Sequence, residues 1–192
     1  MVDSKLVMQL REQTGAGVLE AKRALEESGG NIAAAIDNLR KSGALKAAKK
    51  SERATCEGLV HAYIHGNGKV GVLVEVLCET DFVARNPEFV ALTNDLAMQI
   101  AAMNPLYVKP EDIPQEVVEK ERAIYAQEAA GKPANVAEKI VQGKLEKWYS
   151  EVCLMNQPFI KDEDQTMAQL IQSKIAKLGE NIQVRRFVRF AL

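Results

Sequence analysis

Two histidines and three cysteines are the side chains here best suited to hold a metal or assist a nucleophile. His61 and His65 fall on one face of an extended run, and residues four apart on a strand lie roughly 13 Å from one another. One metal ion is not expected to bridge them. Cys56, Cys78 and Cys153 are odd in number and lack metal-ligand spacing, which suits a reducing compartment better than a disulfide scaffold. The carboxylates of Glu119, Glu121, Glu138 and Glu146 mix with Lys120, Arg122, Lys139 and Lys147 as solvated helix faces, so no acid–base pair is expected in a cleft. There is no nucleophile elbow, no glycine-rich phosphate loop with its lysine and no Ser/His/Asp grouping. The expectation is a protein that is not an enzyme and uses neither cofactor nor metal.

A different kind of chemistry, recognition, is written into Cys78-Glu79-Thr80-Asp81-Phe82-Val83-Ala84-Arg85-Asn86-Pro87. This stretch follows an alternating apolar run and precedes a strongly periodic one, so it reads as a strand-to-helix corner. Thr80 or Asp81 can cap a helical turn, and Asn86 before Pro87 restarts the chain as cap and first helical residue. Phe82 sits between the two caps. It either folds back as a hydrophobic staple or presents its ring to a partner, as aromatic anchors do.

The elements that must position this corner follow from periodicity. Residues 3 to about 43 read as three short helices. Asp3 caps the first, with Leu6, Val7 and Leu10 on one face; Thr14-Gly15-Ala16-Gly17 is a turn, with Thr14 able to cap the second. Val18, Ala21 and Leu25 form the second helix's inner stripe, although one of Val18 and Leu19 should stay exposed beside the glycine turn. Gly29-Gly30 breaks that helix, Asn31 caps a third carrying Ile32, Ile36 and Leu39, and Gly43 ends it. Lys46, Lys49, Lys50 and Arg53 then mark a solvated linker. A nucleic-acid patch would want interleaved aromatics and a basic chain overall. Two alternating strands follow, Leu59–His65 and Val70–Cys78, joined by the hairpin signal Gly66-Asn67-Gly68.

After Pro87, the residues Phe89, Leu92, Leu96, Ile100 and Met103 keep helical spacing until Asn104-Pro105. From Pro110 to about Val152 two striped arms flank Gly131-Lys132-Pro133, an antiparallel helical hairpin. A last helix through Met167, Leu170, Ile171, Ile175 and Leu178 ends at Gly179, and Ile182 to Phe190 form a final strand in which Arg186 interrupts the apolar face.

The whole is α+β: a small three-helix, UBA-like N-terminal domain (residues 1–44), a linker (45–56) and a core (57–192). The core is a three-stranded antiparallel sheet with helices on one face, and the hairpin is inserted at about 111–152. With 192 residues, 47% apolar, and a formal charge of −1, nothing draws the chain to nucleic acid or an anionic membrane. No signal peptide opens it and no apolar run would span a bilayer, so the cytoplasm is the expected address. Exposed apolar residues on such a scaffold fit a protein that acts by binding another, either a factor that remodels its partner or a non-enzymatic helical adaptor.

Three motifs in order separate them. Glu79-Thr80-Asp81-Phe82-Val83-Ala84-Arg85-Asn86 resembles the signature of elongation factor Ts, the guanine-nucleotide exchange factor for elongation factor Tu. Leu10-Arg11-Glu12-Gln13-Thr14-Gly15-Ala16-Gly17 with Lys22-Arg23-Ala24-Leu25, and Lys177-Leu178-Gly179-Glu180-Asn181-Ile182 with Arg185-Arg186-Phe187, resemble the family's other two motifs. The resemblance implies that the GDP-bound form of elongation factor Tu is the partner. Thr80, Asp81, Phe82 and Val83 would dislocate its magnesium ion, with Phe82 as the wedge. Leu178 and Gly179 would lie against its phosphate loop. Arg11, Val18 and Leu19 would grip a surface helix, and His65 would add a further contact. Longer family members duplicate half of the core, so a short chain is expected to pair as a homodimer in a two-plus-two complex, with the final strand a plausible seam.

Overall fold

The computed structural model describes residues 3–192 apart from the side chain of Lys46; Met1, Val2 and that side chain, which belongs to the basic linker run, lie outside the described residues. The chain resolves into two compact units, each woven from separated segments. The first comprises Met1–Gly58, Leu77–Phe89 and Gln169–Gln183, the second Leu59–Val76, Val90–Ala168 and Val184–Leu192.

The first unit opens with α1 (Ser4–Thr14), α2 (Val18–Glu27) and α3 (Ile32–Ala48). Asp3 accepts from the Lys5 N–H and Asn31 from the Ala34 N–H, capping α1 and α3 as their positions predict. Gly15 ends α1 at φ 67°, where a side chain would be strained. Val7, Leu10, Ala21, Ala24, Leu25 and Ala35 close a small core, with Leu6, Ile32, Ile36 and Leu39 packed against it.

Three expectations for this region are corrected. Thr14 does not cap α2: its hydroxyl bonds back to the Leu10 carbonyl, and Gly17 is the uncharged N-cap. Val18 leaves the inner stripe and is 53% exposed, because the first residue of α2 has no facing helix to cover it. Gly43 does not end α3. The following Ala44-Leu45-Lys46-Ala47-Ala48 run is made of strong helix formers, which outweigh one internal glycine's cost of about 1 kcal/mol. A Cβ at Gly43 would stand 3.6 Å from that of Ala176, so the bare backbone permits close approach.

In the second unit, β1 (Glu57–His65), β2 (Val70–Cys78) and β5 (Gln183–Ala191) form a three-stranded antiparallel sheet in the order β1-β2-β5. Val72, Val74 and Val76 are buried on one face, beneath α5 (Pro87–Met103), whose Leu92, Leu96, Ala97 and Ile100 are buried in turn. His61 meets Asn94, and Arg189 donates to the Ala101 carbonyl, which places α5 over that face. The other face is open: Val60, Ile64, Leu73, Val188 and Phe190 are 40–69% exposed. Arg186, unexplained by alternation, pairs with Glu75 at 2.6 Å alongside Arg185 at 3.0 Å, and the Arg186 bond is the main cause of the lowered Glu75 pKa.

The hairpin is α6 (Gln115–Glu128) and α7 (Ala134–Val152), turned at Gly131 (φ 85°). Leu145 is its buried anchor, and Lys144 pairs with Glu128 across it. A short antiparallel pair, β3 (Pro158–Phe159) with β4 (Asp162–Thr166), was not legible in so polar a run. Gln99 braces it, donating to the Pro158 carbonyl and accepting from the Ile160 N–H. Among the described residues no helix is long and apolar enough to cross a membrane.

Candidate partner-binding site

Thr80 sits at extended φ/ψ and caps the one-turn helix α4 (Asp81–Ala84) by accepting from the Val83 N–H. Asn86 accepts from the Glu88 N–H and starts α5 at Pro87. Between these caps Val83 and Ala84 point inward and are buried, so the next side chain on the opposite side, Phe82, must point out. It is 84% exposed. The staple alternative is therefore excluded, since the ring packs on nothing of its own chain that would bury it. Asp81 is partly exposed and ion-paired to Arg85 at 3.1 Å.

A second segment of the same unit braces the corner from below. The last helix, α8 (Met167–Leu178), ends at Gly179 with φ 82°, its N–H bonded to the Ile175 carbonyl. Glu180 then accepts from the N–H groups of Glu79 and Thr80 and from the Thr80 hydroxyl. Glu79 returns the bond, accepting from the Asn181 N–H at 2.6 Å. Asn181, fully enclosed, donates to the carbonyls of Ser51 and Arg53, while Lys50 donates to that of Gly179. Burial pushes the Cys78 thiol just before the corner up to about 11, with Glu180 adding to the effect, so it stays protonated at neutral pH.

The site residues expected from sequence are thus partly brought together. Thr80, Asp81, Phe82, Val83, Leu178 and Gly179 lie on two joined segments, with Val83 facing inward, Leu178 half-buried and Gly179 exposed. Arg11, Val18 and Leu19 belong to the same unit; Arg11 is exposed and donates to the Ala16 carbonyl, and Leu19 is 83% exposed. His65 is in the other unit, exposed and stacked on Tyr63, whose hydroxyl meets its Nδ1 at 2.9 Å. Sequence reasoning names Glu180 and Asn181 only inside a motif. Their bonds to residues about a hundred positions earlier have no local signature.

No group of three or more metal-ligating side chains gathers among the described residues. Two clefts, of about 290 Å³ between α6 and α7 and about 230 Å³ between α2 and α3, do not include the corner. The fold defines a class, an α+β protein with a three-stranded sheet, helices over one face and a helical hairpin. Comparison with known proteins narrows it: the family described as Elongation factor TS matches residues 18–192. Elongation factor Ts of Carboxydothermus hydrogenoformans is 58% identical over all of this chain and 89% of its own length. Those of Thermosipho melanesiensis and Thermodesulfovibrio yellowstonii are 54% and 56% identical, over 99% and 95% of their lengths. The chain belongs to the elongation factor Ts family, and its role lies in translation elongation.

Proposed function

We propose that the protein is a guanine-nucleotide exchange factor that binds GDP-bound elongation factor Tu and speeds GDP release without catalysing a chemical reaction. One observation carries the reading: a phenyl ring 84% in water on a corner capped at both ends. Exposing such a ring is unfavourable unless another surface covers it.

Phe82 inserts beside the nucleotide pocket and Asp81 reorders the polar groups around the displaced magnesium. Thr80 caps the corner, and Val83 anchors it from inside. Leu178 and Gly179 press on the phosphate loop. Arg11, Val18 and Leu19 dock the three-helix region on a surface helix of the partner, and His65 adds a peripheral contact. Burying one phenyl ring yields roughly 1.5–3 kcal/mol, enough to weaken nucleotide about ten- to a hundredfold. Coupling is reciprocal, so rebinding of nucleotide expels the exchange factor to the same extent.

The open sheet face of Val60, Ile64, Leu73, Val188 and Phe190 is assigned to a second copy of the chain, giving a two-plus-two complex in the cytoplasm. An apolar sheet face without a covering helix buries itself most simply against its own image, because a two-fold interface uses one patch twice.

Release of a fluorescent GDP from elongation factor Tu tests the reading. Phe82→Ala is expected to retain fold and docking while losing about ten- to a hundredfold of the acceleration. Full acceleration by that variant would end the wedge assignment.

A further inference from the structure

Among the described residues Glu180 meets three hydrogen donors and no acceptor. Its Oε2 receives the N–H groups of Glu79 at 3.1 Å and Thr80 at 3.0 Å, and its Oε1 receives the Thr80 hydroxyl at 2.7 Å. An ionised carboxylate suits such a nest because it carries lone pairs on both oxygens and no hydrogen. The isosteric amide suits it less well: with its oxygen on the two N–H groups, its NH₂ must donate to the Thr80 hydroxyl, which then gives up its own bond to this side chain, and the charge is lost.

The Thr80 hydroxyl links this nest to the ring. It owns one hydrogen, and giving that hydrogen to Glu180 leaves lone pairs free for the Val83 N–H at 3.4 Å. Glu180 therefore aims the oxygen that caps α4, the turn bearing Phe82. On the other side, Glu180 directly follows Gly179, whose carbonyl is held by Lys50, and the Asn181 N–H returns a bond to Glu79. Two crossed carboxylate bridges thus join the Phe82 corner to the Leu178–Gly179 turn.

We propose that Glu180 is a positioning residue for nucleotide exchange, holding the Phe82 corner and the Leu178–Gly179 turn at one fixed spacing before the partner arrives. The proposal rests on the exchange-factor reading. A loose corner would have to be ordered during docking, and a wedge on a yielding base deflects instead of displacing what it meets. Docking through Arg11, Val18 and Leu19 does not involve this clamp. Loss of Glu180 therefore strikes the rate inside the docked complex more than the concentration needed to form it.

Glu180→Gln and Glu180→Ala are compared with the unaltered full chain and with Phe82→Ala in two assays. Hydrogen–deuterium exchange reads the clamp without a partner: the amides of Glu79, Thr80 and Val83 are expected to exchange faster, while that of Leu25 in the three-helix core does not change. Fluorescent-GDP release across a concentration series is expected to show a maximal rate about tenfold lower and a half-saturating concentration shifted by less than about threefold. If Glu180→Ala fails to fold, Glu180→Gln, of the same size, carries the test. Unchanged exchange at the three amides, or an unchanged maximal rate with raised half-saturation, overturns the proposal. Should a Glu180 variant whose three amides exchange faster remain fast in GDP release while Phe82→Ala is slow, positioning fails and the wedge survives. Should Phe82→Ala itself remain fast, the wedge assignment falls and the proposal with it; should the unaltered chain fail to speed GDP release, the exchange reading falls.

Discussion

Glu88, one residue into α5, holds two lysines of α8 at once, Lys174 on Oε2 and Lys177 on Oε1, each at 2.6 Å. The Lys174 bond first, then the Lys177 bond, lowers its pKa from 4.5 to about 2. A carboxylate held below its unfolded value adds stability above the unfolded pKa and loses it as pH falls through the folded one. Unscreened, that shift would be worth about 3 kcal/mol. Glu88 is 38% exposed, however, and solvent screening reduces the contribution to about 1 kcal/mol. Glu88→Gln is expected to be less stable by about that amount at pH 7 and to match the unaltered chain below about pH 2. Urea midpoints taken across that range measure it, and a constant gap at all pH values would exclude the ion pairs as its source. The residue scale was the less legible one. Thr80, Asn31 and Asn86 cap the helices that follow them because a cap is a local bond between neighbours in sequence. Glu180 with Thr80, or Glu88 with Lys174, join positions far apart, and no spacing rule reaches them.

Elements were easier to read where one periodicity ran uninterrupted. The stretch behind α5 keeps helical spacing from Phe89 to Met103, and the structure buries Phe89, Leu92, Leu96 and Ile100 but leaves Met103, the last residue of the helix, 42% exposed. Misreadings fell where two local signals compete, as at Gly43, where glycine argued for a stop and the alanine-rich run beyond it argued for continuation. The start of α2 is another such place. Its first two residues are both apolar and both exposed, while Ala21, Ala24 and Leu25 fill the core behind them. On the proposed function, two outward aliphatic side chains at this helix end would serve as a small docking knob at little entropic cost. Leu19→Ala is expected to raise the half-saturating concentration for exchange about tenfold with the maximal rate largely kept. A reduced maximal rate at unchanged half-saturation would place Leu19 in the exchange step instead of docking.

At the scale of the molecule, one face of the sheet carries several exposed apolar side chains. Val60 and Ile64 on β1, Leu73 on β2 and Val188 and Phe190 on β5 face away from α5. Phe190→Glu would place a charge within a surface that has to be dry when paired. Sedimentation across a concentration series is expected to show the unaltered chain shifting toward a two-copy species and the variant staying at one copy. A concentration-independent single copy for both would remove the assignment. The corner aromatic lives by a different rule from this sheet. The two residues before it, Thr80 and Asp81, are polar, and Asp81 is held in an ion pair with Arg85. One ring beside charged groups offers little dry area for chaperones or membranes to seize, and on the exchange-factor reading it is a slot cut to the size of a benzene ring that rewards its insertion. On that reading, promiscuity is avoided by keeping the bait small.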